Sequence, residues 1–265
     1  MIESLECRIA PAAVFTYFEG DGDLVKITSS KGTNAQLAAA MNVGLNDLTD
    51  DPYLDLTTAP DVFEGAAITV KVSSKEPGSN KVVDGIFINA YDGEGNDLDL
   101  AKVTVVGNLT GIDVGDEDLS TPAVKSILAS TWGPVEEFED FAISSEIHGN
   151  IGTITVNYFD GFILSVEDYT SDLGTVIGTM TVKKSIASLF GEDVGHIQVG
   201  TINKLTVKDT FFGPADSGYV GNGLIEAKTI NVLNIKSMVH GARIELADSL
   251  DEMALSRSVL QPYRR

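Results

Sequence analysis

One six-residue pattern, apolar-x-x-apolar-x-apolar, returns six times between Leu100 and Leu246 and restricts what this chain can fold into. Its occurrences are Leu100-Val103-Val105, Val124-Ile127-Ala129, Ile151-Ile154-Val156, Ile177-Met180-Val182, Ile202-Leu205-Val207 and Ile230-Leu233-Ile235. The starts are separated by 24, 27, 26, 25 and 28 residues, a period that belongs to stacked supersecondary units. Within each pattern the last three residues alternate, as in Ile154-Thr155-Val156, which is the signature of a half-buried strand.

A second apolar cluster starts eight or nine residues after each pattern starts, as at Leu109, Phe159, Ile186 and Phe211. A third apolar position precedes the later starts, at Ile147, Leu173, Ile197 and Leu224, with Gly, Asp or Asn at many corners. Three short strands joined by tight turns predict an all-β fold. The expected form is a three-sided parallel β-helix with about 24–28 residues per coil, each coil burying its apolar residues on the next. A leucine-rich repeat begins with the same spacing but needs Asn or Cys at the ninth position. Here those positions are Asn108, Trp132, Phe159, Ser185, Thr210 and Met238, so the β-helix is the better reading.

The spacing divides the chain into four parts. Residues 1–13 form an N-terminal segment, and 14–99 a strand-rich N-terminal cap. Residues 100–246 hold the repeats, and 247–265 a C-terminal cap and tail. In the first cap, 15–18, 24–27, 67–72 and 85–90 read as strands and 34–41 as a short helix. Ser249 and Glu252 have capping-box spacing ahead of Leu250, Met253 and Ala254, which predicts a short C-terminal helix over the last coil.

The chain has 265 residues, 43% hydrophobic and 22% charged, with a net charge of -21. That composition is globular. The charge argues against nucleic acid and anionic membrane surfaces as partners. A single cysteine, Cys7, excludes an internal disulfide, and no apolar run has the length of a membrane span.

The string Leu5-Glu6-Cys7-Arg8-Ile9-Ala10-Pro11-Ala12 resembles the Leu-Glu-x-Arg segment, often continuing Ile-Ala-Pro-Ala, at the N-termini of large secreted proteins of planctomycete and verrucomicrobial bacteria. The segments Phe15-Thr16-Tyr17, Asp21 to Thr28, Ser30 to Thr33, Ala67 to Val70, Ile88 to Ala90 and Val103 to Val105 are also similar to that family. The resemblance implies an extracellular or cell-surface β-solenoid without an assigned activity, with residues 1–13 as an export-like segment. The role expected for this chain is non-enzymatic, structural or adhesive, with polysaccharide or cell-surface components as partners. The alternative is a β-helix polysaccharide-active enzyme, a lyase or hydrolase.

Candidate site residues are few. In a parallel β-helix equivalent positions stack about 4.8 Å apart, so Thr104, Thr155, Thr181 and Thr206 are expected to form an outward column, a flat face for a repeating ligand such as a glycan. Lys183, Lys208 and Lys236 would form a second column beside it. The loop Asp92-Gly93-Glu94-Gly95-Asn96-Asp97 alternates oxygen-bearing side chains with glycines, which makes Asp92, Glu94, Asn96 and Asp97 candidate ligands for calcium, an ion that takes six to eight oxygens. Asp21-Gly22-Asp23 is a shorter loop of the same kind. His148, His196 and His240 lack metal-ligand spacing, and no hydrolase, kinase or zinc-protease motif is present. No catalytic residue is assigned.

Overall fold

The computed structural model describes residues 12–43, 52–73, 82–116, 118, 120–133, 144–165, 174–186, 195–211, 223–238 and 242–247. The expected C-terminal helix and the N-terminal segment before Ala12 lie outside these residues. What is described is strand-rich and all-β, and its sheet is mostly parallel.

Three sets of parallel pairs carry the structure. The first ladder joins β5 (Ala66–Val72), β7 (Leu100–Leu109), β9 (Val124–Trp132), β11 (Ile151–Phe159), β13 (Val176–Val182) and the later halves of β14 (His196–Phe211) and β15 (Leu224–Met238). The six sequence patterns lie here in register. Val103, Ile127, Ile154, Met180, Leu205 and Leu233 form one inward column, extended upstream to Ile68, and all are at most 2% exposed. Continuous burial of β-branched and aliphatic side chains on like neighbours is what makes a parallel stack stable, because no strand buries its apolar face alone.

The second ladder joins β4 (Tyr53–Asp55), β6 (Phe87–Ala90), β8 (Gly111–Val114), β10 (Ser144–Ile147), β12 (Phe162–Ser165), the first residues of β14 and β15, and β16 (Arg243–Leu246). Its inward column runs Leu54, Ile88, Ile112, Ser145, Ile163, Ile197, Ile225 and Ile244. Ser145 is the polar exception. Its Oγ accepts from Trp132 Nε1 at 3.1 Å and from the Ile112 amide at 3.1 Å, so the buried indole N–H keeps a partner.

A third, narrower set pairs Leu109, Trp132, Phe159, Ile186, Phe211 and Met238. These are the large apolar residues that the sequence places eight or nine positions after each pattern start. Trp132 and Phe159 pack edge to face with centroids 5.7 Å apart. At this corner Gly107 has φ +149, and the Val83 backbone stands where its Cβ would be.

Antiparallel pairing among the described strands is confined to the N-terminal end. There β1 (Ala13–Phe18) and β2 (Leu24–Ser29) form a hairpin on β5, and β3 (Met41–Asn42) pairs with β4. The helix expected at 34–41 is α1 (Asn34–Ala39), opened by a reciprocal box between Thr33 and Gln36 and anchored by buried Leu37. A second short helix, α2 (Pro60–Phe63), buries Phe63 ahead of β5. The hairpin covers the edge that β5 would otherwise present, and the register of the first ladder continues across residue 99 from β5 to β7.

Candidate functional site

The outer side of the first ladder carries columns of residues in direct register. On β11, β13 and β14, Thr155, Thr181 and Thr206 occupy one column in direct register, and all three are half-buried. Thr104 belongs to the same column, but Leu128 of β9 stands between it and Thr155. The Thr104 hydroxyl is covered and lacks a hydrogen-bond partner, so it does not belong to the accessible surface. At the other end the column continues to Asn234 of β15. The four threonines therefore separate into a patch of three and an outlier.

Two further outward columns flank the patch because strand residues alternate sides. One runs Thr153, Thr179, Lys204 and Val232. In the other, Lys183, Lys208 and Lys236 each follow directly on the paired inward residues Val182, Val207 and Ile235, and all three are exposed. Lys236 Nζ lies 3.3 Å from Asp209 Oδ1. Lys184 Nζ donates to the Tyr158 hydroxyl at 3.0 Å and sits 4.9 Å from its ring centroid. What results is a flat field of hydroxyls and ammonium groups on adjacent strands.

The second ladder carries the opposite charge on its outer side. One column runs Asp55, Asn89, Asp113, Glu146, Leu164, Gln198, Glu226 and Glu245. Asn89 Nδ2 donates to Asp55 Oδ1 at 3.3 Å, and the Glu146 amide donates to Asp113 Oδ1 at 2.8 Å. Burial pushes the Asp113 carboxyl up to about 7, and the neighbouring Glu146 charge adds to the rise. Tyr53 stacks on Phe87 at 5.5 Å, and its phenol is pushed up to about 12 by burial and by the charges of Asp55 and Asp113. Farther along, His196 Nε2 lies 2.7 Å from Glu226 Oε2. His148 is buried and stacks on Tyr91, with ring centroids 3.3 Å apart. His240 is outside the described residues.

The loop from Asp92 to Asp97 closes on itself. Asp92 Oδ1 accepts from the Glu94 and Asn96 amides at 2.8 and 3.3 Å, and Asp92 Oδ2 accepts from Asn96 Nδ2 at 2.7 Å. Asp97 Oδ1 accepts from the Asp92 and Gly93 amides at 2.9 and 3.0 Å. These bonds, the Asn96 side chain first, hold the Asp92 carboxyl below its usual range. Gly93 and Gly95 take φ +67 and +92, the left-handed conformation such a turn requires. Three of the four oxygens of Asp92 and Asp97 therefore point at N–H groups of the loop itself.

A different acidic group gathers where the sequence shows only Asp21-Gly22-Asp23. Carboxylate oxygens of Glu19, Asp21 and Asp84 lie within 4.8 Å of one another. Asp21 Oδ1 accepts from the Asp23 amide at 2.9 Å, and Glu19 Oε1 from the Asp84 amide at 3.0 Å. Burial raises the Glu19 carboxyl to about 7. Asp84 is remote in sequence, and no local spacing announces it.

No protein-family model, curated protein or solved structure matches this chain. Among the described residues no helix is long and apolar enough to cross a membrane.

Proposed function

We propose that the chain is a non-enzymatic β-solenoid, a three-sided parallel β-helix, with a structural or adhesive role outside the cell or at its surface. In this reading it holds an extended glycan along the outer face of the first ladder. The observation that carries the proposal is the in-register patch of Thr155, Thr181 and Thr206 on adjacent parallel strands. Adjacent strands repeat at about 4.8 Å, so identical donors and acceptors recur along a line, which suits a polymer better than a compact metabolite. The three parallel ladders support the solenoid, and the N-terminal segment that resembles secreted bacterial β-solenoids supports the location.

The test is affinity electrophoresis and pull-down of the protein against a panel of linear neutral and acidic polysaccharides, with solution viscosity followed in parallel. The expected result is retention by at least one extended glycan, weakened in the Thr155→Ala/Thr181→Ala double variant, with viscosity unchanged over hours. Retention by none of them would overturn the adhesive reading. Probing fractions of the native cells for the protein tests the location, and recovery solely in the cytosol would refute it.

The second reading, a polysaccharide-active enzyme, is favoured by one observation. Asp113 and Glu146 are carboxyls on neighbouring strands, and burial raises the Asp113 carboxyl to about 7, as a proton donor to a glycosidic bond requires. Falling viscosity together with new reducing ends or unsaturated products would select this reading.

A further inference from the structure

The strands of the first ladder and its N-terminal hairpin are nearly free of acidic residues in a chain whose net charge is -21. Lysines stand at Lys26 on β2, Lys71 on β5, Lys102 on β7 and Lys125 on β9, at Lys183 directly after β13, and at Lys204, Lys208 and Lys236 on β14 and β15. Within the first-ladder segments the one acid is Asp209. The column of carboxylates from Asp55 to Glu245 lies on the second ladder instead. Charge on the described strands is therefore sorted by ladder.

We propose that the polymer held on the first-ladder face is a linear polyuronate, a glycan with a carboxylate on its successive sugars. The inference rests on the glycan-binding reading above and specifies the chemical class of the ligand. Lys183 stands two residues after Thr181, and Lys204 and Lys208 stand two residues to either side of Thr206, all three exposed, beside exposed or half-buried residues Thr153 and Thr179. Lysine supplies a point charge with rotatable donors that tolerates a flexible carboxylate, and the threonine hydroxyls both donate and accept, as sugar hydroxyls require. Nucleic acid fits the face less well. Single strands are held by aromatic platforms, and the exposed aromatic beside the patch, Tyr158, is engaged by Lys184. The net charge of the chain does not prevent such contact, because at physiological ionic strength charges more than about 8 Å away are largely screened.

The experiment measures binding of the whole chain to polygalacturonate, to a neutral linear glucan, to a sulfated glucan and to single-stranded DNA of equal length, at low and high salt. Wild type is compared with the Lys183→Gln/Lys204→Gln/Lys208→Gln variant and with Glu245→Gln on the opposite ladder. The expected result is preferential binding of the polyuronate that weakens with salt, falls roughly tenfold or more in the triple variant and is unchanged in Glu245→Gln. Thermal melts of all variants establish that they are folded. Equal binding of the neutral glucan, insensitive to the triple variant, would overturn the polyuronate and leave the glycan reading standing. Binding of no glycan would overturn both. Tighter binding of the sulfated glucan or DNA, or salt-sensitive self-association that the triple variant abolishes, would overturn this inference in favour of a general polyanion surface or a second copy of the chain.

Discussion

Replacing Asp113 with Asn should stabilise the protein at pH 8 and leave it nearly unchanged at pH 4. Asp113 sits in the outward column of the second ladder between Asn89 and Glu146, and burial lifts its carboxyl from 3.8 to about 7. A carboxyl whose folded value is raised contributes stability that is fully present below the unfolded value and is lost as pH rises through the folded one. The window for Asp113 is thus about pH 4 to 7. Each tenfold change in proton affinity is worth about 1.4 kcal/mol, which sets a ceiling of roughly 4 kcal/mol for ionising the group in place. Relaxation and water access lower that figure, so a gain of about 1–3 kcal/mol for Asp113→Asn at pH 8 is expected. Asn retains the Oδ1 that accepts from the Glu146 amide at 2.8 Å, so the substitution removes the charge and keeps the bond. Urea denaturation of both proteins from pH 4 to 8 measures the difference. Glu146→Gln should give a smaller gain, since its charge is a lesser cause of the shift than burial. A variant less stable than wild type at pH 8, or a difference independent of pH, would refute the reasoning.

Other substitutions test the packing and the turns. Leu205→Asp places a carboxylate in the fully buried column between Met180 and Leu233 and should cost more than about 4 kcal/mol, whereas Thr206→Asp, one residue away and outward, should cost less than about 1 kcal/mol. Thermal melts in which Thr206→Asp is the more damaging would reverse the assignment of inside and outside. Gly107→Ala drives a Cβ into the Val83 backbone at a φ of +149 and should cost on the order of 3 kcal/mol, measured by denaturation; a neutral result would show that this corner moves. In the loop from Asp92 to Asp97, millimolar calcium should leave the melting temperature unchanged, because the loop amides already occupy three carboxylate oxygens. A rise in melting temperature, or heat on calorimetric titration, that Asp92→Asn abolishes would make the loop a cation site.

The first ladder was legible because its columns recur at nearly constant intervals, and Ile154, Met180, Leu205 and Leu233 pair as their spacing implies. The acidic column of the second ladder was not. Its successive members, Asp55, Asn89, Asp113, Glu146, Leu164, Gln198, Glu226 and Glu245, lie 34, 24, 33, 18, 34, 28 and 19 residues apart. Connections between the third set of pairs and the second ladder differ in length, so stacked residues lose their period in sequence. Thr104 shows the converse failure: it has the right spacing, but Leu128 stands between it and Thr155, and its threonine neighbour is Thr69 of β5, which lies before the repeats. The acidic group of Glu19, Asp21 and Asp84 was half visible, since Asp21 lies in a recognisable loop while Asp84 is brought to it by the fold.

Net charge alone also misleads about partners, because parallel register stacks like residues on like. Lys183, Lys208 and Lys236 each follow directly on one of the inward residues Val182, Val207 and Ile235, which are paired on adjacent strands, and like charges placed side by side across strands destabilise the pair. Asp209 offsets this repulsion at Lys236 alone among the three through a described ion pair. A bound polyanion removes the same repulsion along the whole column, so ligand binding and folding stability become linked. The wild-type melting temperature should therefore rise with added polyuronate, and the triple glutamine variant, whose column repulsion is largely gone, should start at or above the wild-type value and respond less. A variant that melts lower and still gains equally from the ligand would place the contact somewhere other than these lysines.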